Sequence, residues 1–322
     1  MNSILIMNAI GSISDDLIAE AAINNSKYKS AHTPAFRWKL LVAAILAIAL
    51  LAVPVSAEVI NGYVSNLLAP IFGGAQTEIV DKIGKPIGAT ASTNGYTLTV
   101  EAVIGDRHNA AVVYTLEKED GAPIPNKAYF EDWNTVFLTG NNSGGTLSVF
   151  PNKDDPSKIH IIEFWHDKTP LIGRLVHASF SNLVFETQSE SIQLASGPWE
   201  VKYTFRYEDA SQNVPVSDLS VKDKSGKQYR INKISISPIG LYMDLTIVDP
   251  EWGAPHMQHF EASLLLSDGS LIEMKGGGGG GGHQMGDKTM EAYFSAVFET
   301  PVDLNSIEAI IICGTPYDIT KQ

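Results

Sequence analysis

YTLTVEAVIGDRHNAAVVYTLE (residues 96–117) decides how the larger part of this chain folds. Its first run, YTLTVEAVI (96–104), alternates apolar and polar residues, the period-two signature of a strand with one face on a core. Its second run, AAVVYTLE (110–117), is rich in the β-branched and aromatic residues that strands favour. Between them lies a polar turn with Gly105, Asp106 and Asn109, residue types that turns select for their backbone freedom and local hydrogen bonding. The stretch therefore predicts a β-hairpin.

The same strand–turn–strand order returns at 229–248, as YRINKISIS (229–237) and LYMDLTIV (241–248). Further strand candidates are 134–138, 158–165, 175–186, 199–207, 260–266, 270–274, 291–299 and 307–313, with Gly, Asn, Asp and Pro between them. The tetrad VFET occurs at 184–187 and again at 297–300. Together with the repeated hairpin it predicts two related β-sandwiches, 87–208 and 213–322, divided by the polar break at 208–218. Trp199 is expected in the first core. Cys313, the single cysteine, lies in the apolar run IEAIIIC and reads as a small buried hydrophobe. The glycine run at 276–282 predicts a hairpin tip, because seven glycines lose much entropy in a strand.

Charge is unevenly placed. Residues 1–39 hold four Lys/Arg against three Asp/Glu, residues 40–57 hold none, and the remainder holds 19 against 33. So acidic a body repels nucleic acid. A hydrophobic content of 44% in 322 residues is enough for two domains with cores of their own.

Upstream lies RWKLLVAAILAIALLAVPVSAEV (37–59), whose residues 40–57 carry no charge. As a helix these 18 residues span about 27 Å, close to the bilayer core of about 30 Å. Arg37, Trp38 and Lys39 flank the segment, an aromatic between two cations, as at a membrane interface. The basic side stays inside, so a transmembrane helix at 38–57 puts residues 1–37 in the cytoplasm and the body outside the cell membrane. A second reading stays open: Val55-Ser56-Ala57 fits the small-x-small pattern of a leader cleaved after Ala57, which leaves an exported surface-binding or adhesion module. Residues 58–86, punctuated by Gly and Pro, are expected to be a connector with one short helical turn.

The cytoplasmic tail contains SISDDLIAEAAI (12–23). Ser14 is a good N-cap; Asp15 and Asp16 sit in the first turn, where the helix dipole favours acids. Ile13 can meet Ile18 across the cap, and Leu17, Ile18 and Ala21 share a face. A helix this short is not stable alone in water, so a segment that folds against a partner is expected here.

Catalytic patterns are absent. His256 and His259 lie in a Pro- and Gly-containing loop instead of the HExxH helix of a zinc protease. In HIIEFWH, His160 and His166 share one strand face and Glu163 takes the other. There is no GxSxG elbow, and the glycine run lacks the GK[ST] ending of a phosphate loop. No enzymatic activity, metal or cofactor is expected.

NAIGSISDDLIAEA, the lead-in RWK, GPWEVKYTF (197–205) and INKISISPIGLYMDL (231–245) resemble one family over nearly the whole chain. These are the single-pass membrane proteins of Gram-positive bacteria whose ectodomain is a tandem of immunoglobulin-like domains of unknown function. They are regarded as anti-sigma partners of extracytoplasmic-function sigma factors. The resemblance implies two immunoglobulin-like sandwiches outside. It also implies that Ile13, Asp15, Asp16, Leu17, Ile18 and Ala21 engage a sigma factor or a related cytoplasmic regulator. The tail is shorter than a zinc-type anti-sigma domain and lacks its His and Cys ligands.

Overall fold

The computed structural model describes residues 62–72, 77–139, 145–187, 189–250, 257, 259–274, 278–285 and 288–319. The N-terminal tail, the apolar segment 38–57 and the flanking Arg37, Trp38 and Lys39 lie outside the described residues. Among the described residues no helix is long and apolar enough to cross a membrane.

Three short helices come first: α1 (Tyr63–Leu67), α2 (Ala69–Phe72) and α3 (Thr77–Ile83). The strands of the first sandwich follow as β1 (Lys85–Thr93), β2 (Tyr96–Gly105), β3 (Asn109–Lys118), β4 (Ala128–Phe137), β5 (Gly145–Pro151), β6 (Lys158–His166), β7 (Leu175–Glu186), β8 (Ser191–Ala195) and β9 (Trp199–Thr204). One sheet has the order β1-β2-β3-β6-β5; the other runs β4-β7-β8, with β9 also on β7. The second sandwich contains β10 (Gln212–Val214), β11 (Ser220–Lys222), β12 (Gln228–Ser237), β13 (Gly240–Val248), β14 (Ala262–Leu266), β15 (Leu271–Glu273), β16 (Gly278–Met285), β17 (Thr289–Val297), β18 (Ile307–Ile312) and β19 (Thr315–Asp318). Its sheets are β10-β12-β13-β17-β16, with β11 also on β12, and β15-β14-β18-β19. Every strand pair is antiparallel. The chain is thus mostly β, in two sandwiches that belong to one compact unit, Val55–Gln322.

The two sandwiches repeat one plan. In each, a hairpin (β2–β3, β12–β13) fills the middle of a sheet, and a later hairpin (β5–β6, β16–β17) extends that sheet on one side. The VFET tetrads do not mark equivalent places. The first ends β7, in the sheet opposite β2–β3; the second ends β17, directly beside β13. The strand order carries the repeat, and the tetrad does not.

The glycine run is not a hairpin tip. Gly278, Gly279 and Gly280 pair with Ser295, Phe294 and Tyr293 of β17, and the turn falls later, before Thr289. As an edge strand, β16 takes the place that β5 holds in the first sandwich, and backbone hydrogen bonds to β17 offset the entropy lost.

A register shift between Val100 and Ala102 explains the solid apolar run that ends β2. Before it, Tyr96, Leu98 and Val100 face the first core; after it Val103 does, while Ala102 and Ile104 turn to the outer face. That outer face is dry because the helices cover it. Val64, Leu68, Phe72, Val80 and Ile83 pack on Ala102, Ile104, Ala111, Val113 and Ile162. The stretch at 58–86 therefore holds three helices packed on the sandwich, more than the expected connector with one helical turn, and β1 begins at Lys85. Asp81 of α3 receives Gly62 N–H at 2.7 Å and Ser65 N–H at 2.9 Å, capping α1 from another helix.

Trp199 is fully buried in the first core, as expected, and donates its indole N–H to the Tyr96 carbonyl at 3.1 Å. Cys313 is half-buried against the second core with φ +48°, at the turn after β18.

Candidate functional site

The two equivalent hairpin turns meet each other. The β2–β3 turn brings Asp106, His108 and Asn109 to the end of the first sandwich, and the β12–β13 turn brings Ser237, Ile239 and Gly240 to the second. Asp106 is buried at their meeting point. Its Oδ1 accepts from the backbone N–H groups of His108 (2.8 Å) and Asn109 (2.7 Å), which shapes its own turn. Its Oδ2 accepts from the Ser237 hydroxyl at 2.7 Å, across the junction. Asn109 makes a second crossing: its Oδ1 accepts from the Ser295 hydroxyl at 2.6 Å, and its amide donates to Asp106. A carboxylate that collects this many donors satisfies itself without a cation.

Gly240 permits the close approach. A Cβ there would stand 2.8 Å from the Ala296 carbonyl, 3.0 Å from Asn109 Nδ2 and 3.1 Å from Asp106 Oδ2. Ile239 is buried in the cluster of α1–α3 side chains, so helices, first sandwich and second sandwich share one apolar contact. The linker after β9 is fixed beside them. Arg107 pairs with Asp209 at 3.1 Å, and its N–H donates to Ser211. Burial pushes Asp209 up, but hydrogen bonds from Ser211 and Arg107 outweigh it and hold the carboxyl below its ordinary range.

On one flank of this junction stands an aromatic ladder. His108 stacks on Tyr242 at 3.7 Å between centroids and 12° between planes, and Tyr242 stacks on Tyr293 at 5.9 Å. His108 Nδ1 lies 3.0 Å from the Asp167 carbonyl, which fixes the neutral ring's proton on Nδ1. Burial pushes His108 below the usual imidazole range; the Asp167 carbonyl and Asp106 act the other way. Tyr242 donates to Asp244 at 2.5 Å, and burial followed by that hydrogen bond raises its hydroxyl. Beyond Tyr293 a cleft of about 350 Å³ opens, lined by Lys168 of the first sandwich and by Asn232, Asp244, Glu291 and Tyr293 of the second. A second cleft of about 480 Å³ lies on the helix side, with Ile71, Phe164, His166 and Phe298 in its wall. The first offers an aromatic face, two carboxylates, an amide and an ammonium to an occupant that would touch both sandwiches.

No protein-family model and no curated protein matches this chain. One solved structure is similar to it: a crystal structure described as the conserved domain protein from Bacillus anthracis, 18% identical. The match covers 71% of this chain and 76% of that one at a TM-score of 0.51. Likeness at this identity is a likeness of fold.

The sequence-stretch candidates fare unevenly. Ile13, Asp15, Asp16, Leu17, Ile18 and Ala21 lie outside the described residues, as does His256; His259 is exposed. His160 and His166 share the outer face of β6, and Glu163 points into the core, so the three do not converge. Among the described residues no group of three or more His, Cys, Asp or Glu is placed to hold a metal ion. The junction residues Asp106, Asn109, Ser237 and Ser295 escaped sequence reasoning. For Asp106, Asn109 and Ser237 the one signal is position, at the turns of two equivalent hairpins, the second with an apolar Ile239; Ser295, within β17, carries none.

Proposed function

We propose that this chain is a membrane-anchored regulator. Its two sandwiches, immunoglobulin-like and extracytoplasmic, take up a ligand or respond to the state of the cell envelope. The segment at 38–57 spans the membrane, and the helix around Ile13–Ala21 restrains a sigma factor or a related regulator. The observation that carries the reading is the burial of Ile239 among the α1–α3 side chains. The stretch of chain that follows the apolar segment thereby packs where the two sandwiches meet, so an occupant that shifts one sandwich against the other would act on α1–α3. The cleft beside Tyr293 supports a binding role, since its wall draws on both sandwiches.

The test is co-purification of the full-length chain in detergent with an extracytoplasmic-function sigma factor encoded beside it. Retention of the sigma factor, lost on Leu17→Asp together with Ile18→Asp, is expected. A sigma factor that never binds, or binds the double variant equally, defeats the regulatory role. Val55-Ser56-Ala57 favours the second reading, an exported binding module. A mature N-terminus at Glu58 under unstressed growth would replace the first reading with it.

A further inference from the structure

Glu163 of β6 has no solvent exposure, yet it lies in the first core among aromatic rings. Its Oε2 accepts from the Tyr114 hydroxyl of β3, in the same sheet, at 2.7 Å. The Tyr114 oxygen in turn accepts from Tyr203 of β9, in the opposite sheet, at 2.5 Å. This chain of three oxygen groups crosses the sandwich from sheet to sheet. Its other end is incomplete. Glu163 Oε1, Thr135 Oγ1 of β4 and Trp165 Nε1 are all buried, and none completes a hydrogen bond among the described residues. Thr135 and Trp165 nevertheless face the carboxyl and favour its charged form.

We propose that Glu163 is a buried proton-binding site that ties the two sheets of the first sandwich together as the neutral acid and loosens them when it ionises. A carboxylate there has one completed donor, Tyr114, and no cation; the Thr135 hydroxyl and Trp165 N–H face it without closing a hydrogen bond. The groups that act on it are Tyr114, Thr135, Trp165 and Tyr203. The charged Arg174 lies over the Phe137 ring and is paired with Asp167 at 2.7 Å. An uncompensated charge in such surroundings is costly. The neutral acid is not: Oε2 still accepts from Tyr114, and the proton on Oε1 can be donated to the Thr135 hydroxyl oxygen, which has no other partner among the described residues. Tyr203 and Thr135 both belong to the opposing sheet, so both ends of the network then bridge the core.

Burial is the largest influence on this carboxyl and pushes it above the glutamate range; Tyr114, Thr135 and Trp165 pull it back only in part. The folded chain therefore holds the proton more tightly than the unfolded chain. The stability that follows is fully present below the ordinary glutamate pKa of about 4.3 and is lost as pH rises through the higher folded value. The site acts in the opposite sense to the surface carboxylates, whose contributions are lost in acid.

The experiment compares thermal unfolding of the full-length chain in detergent with that of Glu163→Gln, from mildly acidic to mildly alkaline pH. Glutamine keeps the acceptor for Tyr114 and supplies a permanent donor toward Thr135. The melting temperature of Glu163→Gln is expected to exceed that of the unchanged chain by a margin that widens as pH rises. A margin that stays constant or narrows overturns the proposal. The carboxyl-carbon resonance of Glu163 in chain labelled with 13C-glutamate, followed through the same range, needs no variant. A midpoint above the ordinary value supports the site, and one at or below it overturns the proposal.

Discussion

Gly240 shows how much of the junction depends on one missing methyl group. Its φ is unremarkable, so backbone freedom is not the reason for glycine; space is. Alanine would drive its Cβ into the Ala296 carbonyl, which belongs to the β13–β17 ladder and cannot retreat without breaking it. Gly240→Ala is expected to cost about 1–3 kcal/mol, the usual price of overpacking, measured as a lower midpoint in denaturant. An unchanged midpoint would show that the turn has room to shift. Sequence could not have revealed this constraint, because the atoms that crowd Gly240 come from β17 and from the first sandwich. What sequence does reveal at single positions is face. The alternation in KIHIIEFW correctly puts Glu163 opposite His160. It says nothing of Tyr203, 89 residues from Tyr114, whose hydroxyl bonds Tyr114 and carries the network to the opposite sheet.

Strands with a regular period were readable, and elements that rely on neighbours were not. All twelve runs chosen for alternation contain a strand, although β4 begins at Ala128, earlier than the run at 134–138. The omissions are β1, β5, β8, β10, β11, β16 and β19, which are short, polar or glycine-rich and gain order from the strand beside them. Helices α1–α3 are a similar case: each is too short to persist alone. The sheet's apolar outer face and Asp81 hold them. Asp81 takes the Gly62 and Ser65 N–H groups and the Ser65 hydroxyl, doing from α3 what an N-cap side chain does locally. Asp81→Ala should therefore lower stability by about 0.5–2 kcal/mol. Amide hydrogen exchange should show lost protection concentrated in α1 and reduced protection of the outer-face residues of β2 and β3. Loss spread evenly over both sandwiches would mean that Asp81 does not act through α1.

The two sandwiches each have a separate core, and what joins them is a small number of buried hydrogen bonds around Asp106, the stack of His108 on Tyr242 and the Ile239 contact. A joint of this kind is strong only while it is complete. Removing the carboxylate leaves the His108 and Asn109 N–H groups, the Asn109 amide and the Ser237 hydroxyl buried without their acceptor, a loss of about 2–4 kcal/mol by the usual penalty for stranded donors. Part of that loss falls on the coupling between the sandwiches, because the Ser237 bond crosses between them, and part on the first sandwich, whose core residue Tyr207 donates to the Asp106 carbonyl at 2.9 Å. Calorimetry of the unchanged chain should show one unfolding transition for the body, since each sandwich is stabilised by the other through this joint. Asp106→Ala should divide it into two, with the transition of the first sandwich moved furthest, because the carboxylate shapes its β2–β3 turn as well as the crossing. Ser237→Ala removes the crossing bond and leaves that turn intact. It should bring the two transitions apart with a smaller drop in the first. A single transition retained by both variants would locate the coupling in the Ile239 contact and the His108–Tyr242 stack instead, and Ile239→Ala combined with Tyr242→Ala would then be the variant that separates them.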